Sequence, residues 1–259
     1  MIAECAQDED NSALADGCPR RFDEASSAQM ERFVLDFGRM YRERNDALRE
    51  VASAHHVALL QLYAAADLKD GDTGVHIVRI GYLAEALALF MGQGLTYARL
   101  LRKAAPMHDI GKIGTPDSVL KKPGPLTPEE RVVMNRHAAM GAEILGRSNV
   151  PVFRMAAELA LTHHERYDGS GYPAGLSGDA IPLSGRITAV VDFFDALTMD
   201  RVYRPAFTVE RALEMLQAER GNAFDPVVVD ALLAHADEMN ELRCKITREC
   251  PSFDALIDS

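Results

Sequence analysis

Two short motifs in this sequence carry side chains that can bind metal ions. One is His108-Asp109, followed by Gly111-Lys112, and the other is the pair His163-His164. Imidazole and carboxylate groups are ligands that proteins use for divalent transition-metal ions. Either motif alone is weak evidence in a chain with eight histidines. Together they suggest a metal site to which distant segments of the chain contribute.

The helices predicted around these motifs place histidines on their apolar faces. Apolar residues recur at steps of three and four, the helical period, and four such stripes each include one histidine. These are His76, His108, His137 and His163. A single inward histidine is more often a core residue with a hydrogen-bond partner than a ligand. Four of them favour a multinuclear metal site inside a helical bundle.

Asp192 lies in a predicted helix, 187–194, that is apolar on nearly every side. An ionised carboxylate buried there without a partner would cost several kcal/mol, so a cation should neutralise it. Arg186 or Arg201 could supply that cation. Because of the surrounding histidine stripes, we favour a metal ion.

The composition limits the classes of partner. A chain of 259 residues with 47% hydrophobic residues can bury one core and a small appendage. The formal net charge of −11 argues against nonspecific binding to nucleic acid or to an anionic membrane surface. It leaves room for a small phosphate substrate, because metal ions and local basic residues can reverse the potential in one cleft.

Several features predict a cytoplasmic protein. No apolar run is long enough to cross a bilayer, so we expect no membrane insertion. The acidic N-terminus lacks the apolar segment of a secretory signal. Cys5, Cys18, Cys244 and Cys250 show no C-x-x-C spacing, which is typical of ordinary reduced thiols.

The fold class is predicted to be all-α, because strand signals are almost absent and helix-start signals are frequent. One such signal is the capping box in 127–130. The chain divides into a flexible leader, a long helix, a globular domain and a C-terminal tail, with bounds 1–25, 26–68, 69–246 and 247–259.

The predicted long helix carries an alanine-rich apolar seam that is interrupted by Arg44. Its members are Phe33, Phe37, Met40, Ala47, Val51, Ala54, Ala58, Leu62 and Ala65. Such a seam is typical of a helix that pairs with another helix. We expect it to support a homodimer; the alternative is that the helix packs back on its own domain.

The motifs and their order resemble the HD-GYP family, a branch of the HD superfamily of metal-dependent phosphohydrolases. The similarity extends from about Asp67 to Pro226 and includes His108-Asp109, Gly171-Tyr172-Pro173 and the segment 192–198. The resemblance implies an HD-type helical bundle, here preceded by the long helix. It also implies a metal-dependent phosphodiesterase that hydrolyses cyclic di-GMP to linear pGpG or to GMP.

The resemblance further implies roles for the motif residues, with iron or manganese as the two divalent ions. The first ion would be held by His76, His108, Asp109 and Asp192, and the second by His137, His163, His164 and the bridging Asp109. Lys112 would stabilise charge on the substrate, and Asp195 would help to orient the nucleophile. Arg201 and Arg204, together with Lys112, would bind the substrate. Gly171, Tyr172 and Pro173 would shape the rim of the site.

This chain departs from the family pattern at several points. Asp72 stands where some members have a glutamate that helps to bind a third ion, so Asp72 is a further candidate ligand. Pro205 stands where members often have a lysine, which puts part of the substrate contacts in question. Residues 1–68 are too few and too helical to form the fused sensor domain that is common in the family, so we expect a regulatory signal to come through the long helix, through a signalling partner protein, or not at all.

Two alternatives to a cyclic di-GMP phosphodiesterase remain open. One is a catalytically silent module that binds a cyclic dinucleotide or a protein. The other is a phosphodiesterase for another cyclic dinucleotide. The intact set of predicted ligands favours an active enzyme.

Overall fold

A computed structural model describes residues 19–70, 74–200 and 205–258 of the chain. In these ranges the protein is helical and has no β-strand, apart from an isolated bridge between Arg220 and Phe224. The predicted all-α class is therefore confirmed. The α-helices are α1 (Pro19–Asp70), α2 (Gly74–Phe90), α3 (Leu95–Ala104), α4 (Asp117–Leu120), α5 (Pro128–Leu145), α6 (Pro151–Thr162), α7 (Leu183–Leu197), α8 (Val209–Ala218), α9 (Pro226–Ala234), α10 (Ala236–Glu249) and α11 (Ala255–Asp258). Short 3₁₀ turns lie at Ala105–Met107, Ile110–Gly114 and Gly178–Ala180.

The chain divides into two units at His55. The described part of the first unit is the N-terminal portion of α1. Its large apolar side chains are exposed, and neighbouring rings stack along the helix, with 6.3 Å between the ring centres of Phe33 and Phe37. The apolar seam of this unit is therefore exposed.

The second unit begins within α1, earlier than the predicted domain boundary at residue 69. Leu59 and Tyr63 are buried in the core, and the Tyr63 hydroxyl donates a hydrogen bond of 2.6 Å to the Lys103 carbonyl. Residues 56–68 thus belong to the globular domain, and the prediction of a separate helix as far as residue 68 is wrong for this part. The predicted seam includes Ala58 and Leu62, which are only partly buried. It does not include Leu59 and Tyr63, which are buried.

Helix α2 lies at the centre of the second unit, where it contacts α3, α7, α9 and α10. Most of its residues are apolar, as expected for a buried helix, and Ile80, Leu83 and Leu87 are fully buried. His76 lies in the first turn of α2. The central helix therefore fixes this histidine at the edge of the core.

The turn at Ile110–Gly114 packs closely against α5. A Cβ atom on Gly111 would lie only 1.9 Å from the His137 carbonyl oxygen, so no other residue fits without moving the backbone. The predicted capping box at the start of α5 is present between Thr127 and Glu130. This packing brings the His108-Asp109 motif next to His137.

The segment predicted as a C-terminal tail is part of the fold. Leu256 is fully buried, and the Phe253 ring meets the Tyr63 ring edge-on, with 5.8 Å between centres. Leu256 reaches the core because Gly81 leaves space for it: a Cβ atom there would lie 2.6 Å from Leu256 Cδ2.

No helix in the described ranges is both long enough and apolar enough to cross a membrane.

Candidate metal centre

The structure brings seven of the predicted metal ligands together in two neighbouring groups. One group consists of Asp109, His137, His163 and His164, and the other of His76, His108 and Asp192. Within each group, the candidate ligand atoms lie within 4.8 Å of one another. The ligands come from α2, α5, α7 and the turns after α3 and α6, so the centre is built from segments that are distant in sequence.

Asp109 lies between the two groups. Its Oδ1 atom is 3.2 Å from His137 Nε2 and 3.5 Å from His163 Nε2. Its Oδ2 atom is 3.3 Å from His108 Nε2. The two carboxylate oxygens thus face different groups, which is the geometry of a carboxylate that can bridge two ions.

Backbone carbonyls fix the orientation of three histidine rings. His108 Nδ1 donates to the Ala105 carbonyl at 2.8 Å, and His137 Nδ1 donates to the Met134 carbonyl at 2.7 Å. His163 Nδ1 lies 3.0 Å from the Leu159 carbonyl. A carbonyl can only accept, so the proton resides on Nδ1 and the Nε2 lone pair faces the centre.

The Nε2 atoms of these three rings are buried and find no hydrogen-bond partner among the residues that the structure describes. Buried polar atoms without a partner are rare in folded proteins. Metal ions would satisfy all three lone pairs at once. The residues therefore fit divalent metal ions bound at this centre.

Burial affects the charge of the histidines in different ways. Burial lowers the pKa of His163, and burial together with His163 holds the pKa of His164 well below its usual value. Both rings are therefore neutral near neutral pH, the form that binds metal. Burial alone would lower the pKa of His108, but without a bound ion the Asp109 carboxylate outweighs burial and raises this pKa to about 9. A metal ion that binds His108 Nε2 would therefore displace a proton from it.

Behind His76 lies a buried ion pair. His76 Nδ1 donates to Asp195 Oδ2 at 2.7 Å, and the Arg79 guanidinium binds both oxygens of the same carboxylate at 2.7 and 2.9 Å. Asp195 is fully buried. Burial would raise its pKa, but the hydrogen bonds from His76 and Arg79 keep it below its ordinary value.

In this structure both oxygens of Asp195 accept these hydrogen bonds, and Asp195 holds the ring of His76, a predicted metal ligand. Its part in orienting the nucleophile stays a prediction. Sequence reasoning missed its partner Arg79, although a charged residue in the apolar stretch Ile77–Leu83 is a sign that a buried carboxylate is nearby.

Asp192 is partly exposed, with 27% of its side chain accessible, and not fully buried as the apolar helix suggested. Its Oδ1 atom lies 3.7 Å from His76 Nε2 and 3.9 Å from His108 Nε2. Arg186, one predicted alternative partner, forms ion pairs with Asp179 and Asp225 instead. The carboxylate therefore faces the histidines of its group.

Lys112 lies beside the bridging carboxylate, with its Nζ atom 2.7 Å from Asp109 Oδ2. Burial would raise the pKa of Asp109, but Lys112 and His108 hold it well below its usual value. Asp109 is therefore ionised and available as a ligand, and Lys112 places a positive charge at the edge of the centre.

The predicted motif loop lies against His164. The Tyr172 ring stacks on the His164 ring with 4.8 Å between centres, and the Tyr172 amide donates to the His164 carbonyl at 3.2 Å. Gly171 has no room for a side chain, because a Cβ atom would lie 2.3 Å from the Arg166 nitrogen. The Tyr172–Pro173 peptide bond is cis. The loop thus covers one side of the centre.

Glu165 anchors this loop and was missed by sequence reasoning. Its side chain is buried and accepts hydrogen bonds from the Ala174 amide at 2.7 Å and the Leu176 amide at 3.0 Å. An acidic residue next to two histidines suggests another ligand or a surface residue. Nothing in the local pattern indicates that it binds backbone amides nine and eleven positions later.

Three predicted site residues, Asp72, Arg201 and Arg204, lie outside the described ranges.

The chain matches known proteins over most of its length. The family model of the HD domain matches residues 28–228. The 3'3'-cGAMP-specific phosphodiesterase 2 of Vibrio cholerae is 37% identical, over 91% of this chain and 45% of that protein. The cyclic di-GMP phosphodiesterase response regulator RpfG of Xanthomonas campestris is 45% identical, over 76% of this chain and 52% of that protein. The chain spans about half the length of the curated relatives it matches.

A crystal structure of a cyclic GMP-AMP-specific phosphodiesterase from V. cholerae is similar with a TM-score of 0.54. The alignment covers 74% of this chain and 53% of that chain at 18% identity, so the likeness concerns the fold alone. The family model and the curated relatives agree with the HD-GYP resemblance of the motifs. The chain belongs to the HD domain family, in its HD-GYP branch.

Proposed function

We propose that this protein is a metal-dependent phosphodiesterase that hydrolyses cyclic di-GMP to linear pGpG or to GMP. The observation that carries the proposal is the position of Asp109, which turns one carboxylate oxygen toward each of the two ligand groups. A carboxylate shared between two sets of imidazoles is what two adjacent divalent ions require.

In this proposal each group holds one ion. His76, His108 and Asp192 would hold the first, and His137, His163 and His164 would hold the second, with Asp109 contributing one oxygen to each. Nitrogen and oxygen ligands without thiolates suit iron or manganese. Asp72 remains the candidate ligand for a third ion. When bound, two adjacent divalent ions acidify water and stabilise the charge that develops on a phosphoryl group.

The side chains around the ions have separate tasks. Asp195 and Arg79 hold the His76 ring, and the stacked His164 and Tyr172 rings bound one side of the site. Lys112 donates to a phosphate oxygen or to the leaving oxygen from its position next to Asp109. Arg201 and Arg204 bind the second phosphate or a guanine edge, where a guanidinium can donate two hydrogen bonds.

We choose cyclic di-GMP as the substrate because several relatives with 44–47% identity are named for its hydrolysis. The alternative substrate is 3'3'-cGAMP, which is named for a relative that matches 91% of this chain. A catalytically silent binding module is disfavoured, since the chain retains both ligand groups and Lys112.

We further propose that a second copy of the chain pairs with the N-terminal part of α1. Met30, Phe33, Phe37 and Met40 recur at steps of three and four, and each of these residues is between 57% and 65% exposed. A helix that leaves such a stripe uncovered is typical of one strand of a coiled coil. A signalling partner protein on this stripe is the alternative.

A substrate panel tests the proposed activity. Protein purified without oxygen and loaded with iron or manganese is mixed with cyclic di-GMP, 3'3'-cGAMP or cyclic di-AMP, and the products are separated by chromatography. The proposal expects the highest kcat/KM for cyclic di-GMP. Faster cleavage of 3'3'-cGAMP would identify that nucleotide as the substrate in place of cyclic di-GMP. Binding of a cyclic dinucleotide without any cleavage would contradict the enzymatic activity and favour the catalytically silent binding module.

A further inference from the structure

The last turn of α1 reaches the metal centre. A cavity of about 20 Å³ lies beside the first ligand group and is lined by Ala66, Asp67, His76, Ile77, Pro106, His108 and Asp109. Three of these residues are candidate metal ligands, and Asp67 is the additional polar residue in the lining. A cavity of this size can hold one water molecule when polar groups line it.

The polar groups around this cavity are incompletely satisfied. His108 is 3% exposed, and its Nε2 atom has no hydrogen-bond partner within the described ranges. The Asp67 carboxylate is only partly buried, and no hydrogen bond or ion pair joins it to another described residue. A carboxylate directed at such a cavity would complete the hydrogen bonds of a water that also contacts the centre.

Asp67 could have a simpler role, stabilisation of the N-terminus of α2, and the experiment must distinguish this role from one at the metal centre. The Asp67 carboxylate lies next to Gly74, because a Cβ atom placed on Gly74 would be 3.4 and 3.5 Å from its two oxygens. Gly74 is the first residue of α2, and a carboxylate near a helix N-terminus is stabilising on its own. That role would not depend on metal ions.

We propose that Asp67 is a positioning residue of the metal centre, which holds one water in this cavity beside the ion bound by His76 and His108. The inference rests on the proposed metal centre but not on the proposed substrate. Because α1 is one continuous helix from Pro19 to Asp70, its last turn would then become more stable when this ion binds. By linkage, a change in the last turn of α1 would alter the affinity for the ion by the same factor.

The test compares Asp67→Ala and Asp67→Asn with Asp46→Ala, which removes an exposed carboxylate from the same helix. Mn²⁺ binding is measured by calorimetry on the full chain, and hydrogen exchange of residues 59–68 is measured with and without Mn²⁺. Loss of a group that supports a ligand from outside the first coordination sphere lowers metal affinity by about 10–100-fold. We expect a loss of about tenfold at one of the two sites for Asp67→Ala. The slowing of exchange by Mn²⁺ should occur in wild type and in Asp46→Ala and disappear in Asp67→Ala.

Wild-type Mn²⁺ affinities in both Asp67 variants, with the slowing of exchange intact, would overturn the inference. The inference would also be overturned if the Asp67 variants bound Mn²⁺ with unchanged affinity and lost the same thermal stability with and without Mn²⁺. Asp67 would then act only at the N-terminus of α2. Should Asp67→Ala fail to fold, Asp67→Asn provides the same comparison with the side-chain volume retained. If the protein binds two ions but cleaves no cyclic dinucleotide, the proposed substrate fails and this inference can still hold.

Discussion

His76 Nδ1 lies 2.7 Å from Asp195 Oδ2, and this hydrogen bond joins a predicted metal ligand to a fully buried carboxylate. Arg79 binds the same carboxylate with two hydrogen bonds. The pair leaves His76 Nε2 directed at Asp192. The orientation of this predicted ligand thus depends on a buried ion pair.

Asp195→Asn tests this dependence. The substitution removes the negative charge and leaves the buried Arg79 without its ionic partner, a change that costs about 3–5 kcal/mol in comparable sites. We expect a lower melting temperature and a loss of metal affinity of about 10–100-fold. Thermal unfolding with and without Mn²⁺ measures both effects.

Asp179→Asn is the matched control, because Asp179 also pairs with an arginine but is 87% exposed. This variant should unfold and bind Mn²⁺ like wild type. Equal behaviour of the two variants would mean that Asp195 has no special link to the centre.

Asp109→Ala and Lys112→Ala separate formation of the metal centre from its use. Asp109→Ala removes a ligand from both ions, so metal binding and hydrolysis should be lost together. Lys112→Ala should retain both ions and lower kcat by about a hundredfold, as expected for the loss of one charge-stabilising donor. Metal analysis and turnover are measured on the same samples, with the exposed Lys121→Ala as the control. Loss of the ions in Lys112→Ala would contradict these separate roles.

Glu165→Gln should loosen the motif loop. Glutamine can accept one of the two backbone hydrogen bonds, but its amide group faces the other N–H, which leaves that donor unsatisfied at a cost of about 1–3 kcal/mol. We expect faster hydrogen exchange in residues 171–177 and lower turnover, with two ions still bound. Glu143→Gln, whose side chain is 73% exposed, should leave exchange in this loop unchanged. Wild-type exchange in Glu165→Gln would show that the loop is held by other contacts.

Gly111→Ala should be strongly destabilising, since its Cβ atom would lie 1.9 Å from the His137 carbonyl oxygen. The turn that carries Asp109 would have to move away from α5. Gly38→Ala provides the control, because a Cβ atom at this position in α1 would come no closer than 3.6 Å to the neighbouring Arg42 side chain. Chemical unfolding should show a lower midpoint for Gly111→Ala and an unchanged or higher midpoint for Gly38→Ala. Equal midpoints would contradict the close packing.

Replacement of Phe33 and Phe37 by glutamate tests the proposed dimer. Charges on the apolar stripe should convert a dimer into a monomer, as measured by light scattering after gel filtration. Leu35→Glu is the control, because Leu35 is 71% exposed but lies off the seam. A wild-type chain that is already monomeric at micromolar concentration would contradict the proposal.

The sequence allowed the all-α class and the clustering of seven candidate ligands to be predicted, because helical periodicity identifies which residues face inward and the motifs resemble a known family. Periodicity does not show what an inward residue contacts. Asp192 and Asp195 lie on one face of α7, yet one faces the centre and the other binds Arg79 behind a ligand. That difference depends on which helix packs opposite each position.

The limits of α1 were mispredicted for a similar reason. Its alanine-rich seam continues through Ala58 and Leu62, whereas contact with the domain selects the adjacent Leu59 and Tyr63. The role of Glu165 was also out of reach, because its hydrogen bonds depend on the path of a loop rather than on a repeating pattern.

The most direct test of the proposed activity is the turnover of cyclic di-GMP as a function of bound metal. Metal-free protein is titrated with Mn²⁺ or with Fe²⁺ under anaerobic conditions, and the ions per chain and the rate of hydrolysis are determined at each step. We predict that hydrolysis appears as the second ion binds and is absent with one ion or none. A fully loaded protein that leaves cyclic di-GMP and 3'3'-cGAMP intact, or hydrolysis that proceeds without bound metal, would contradict the proposed metal-dependent phosphodiesterase.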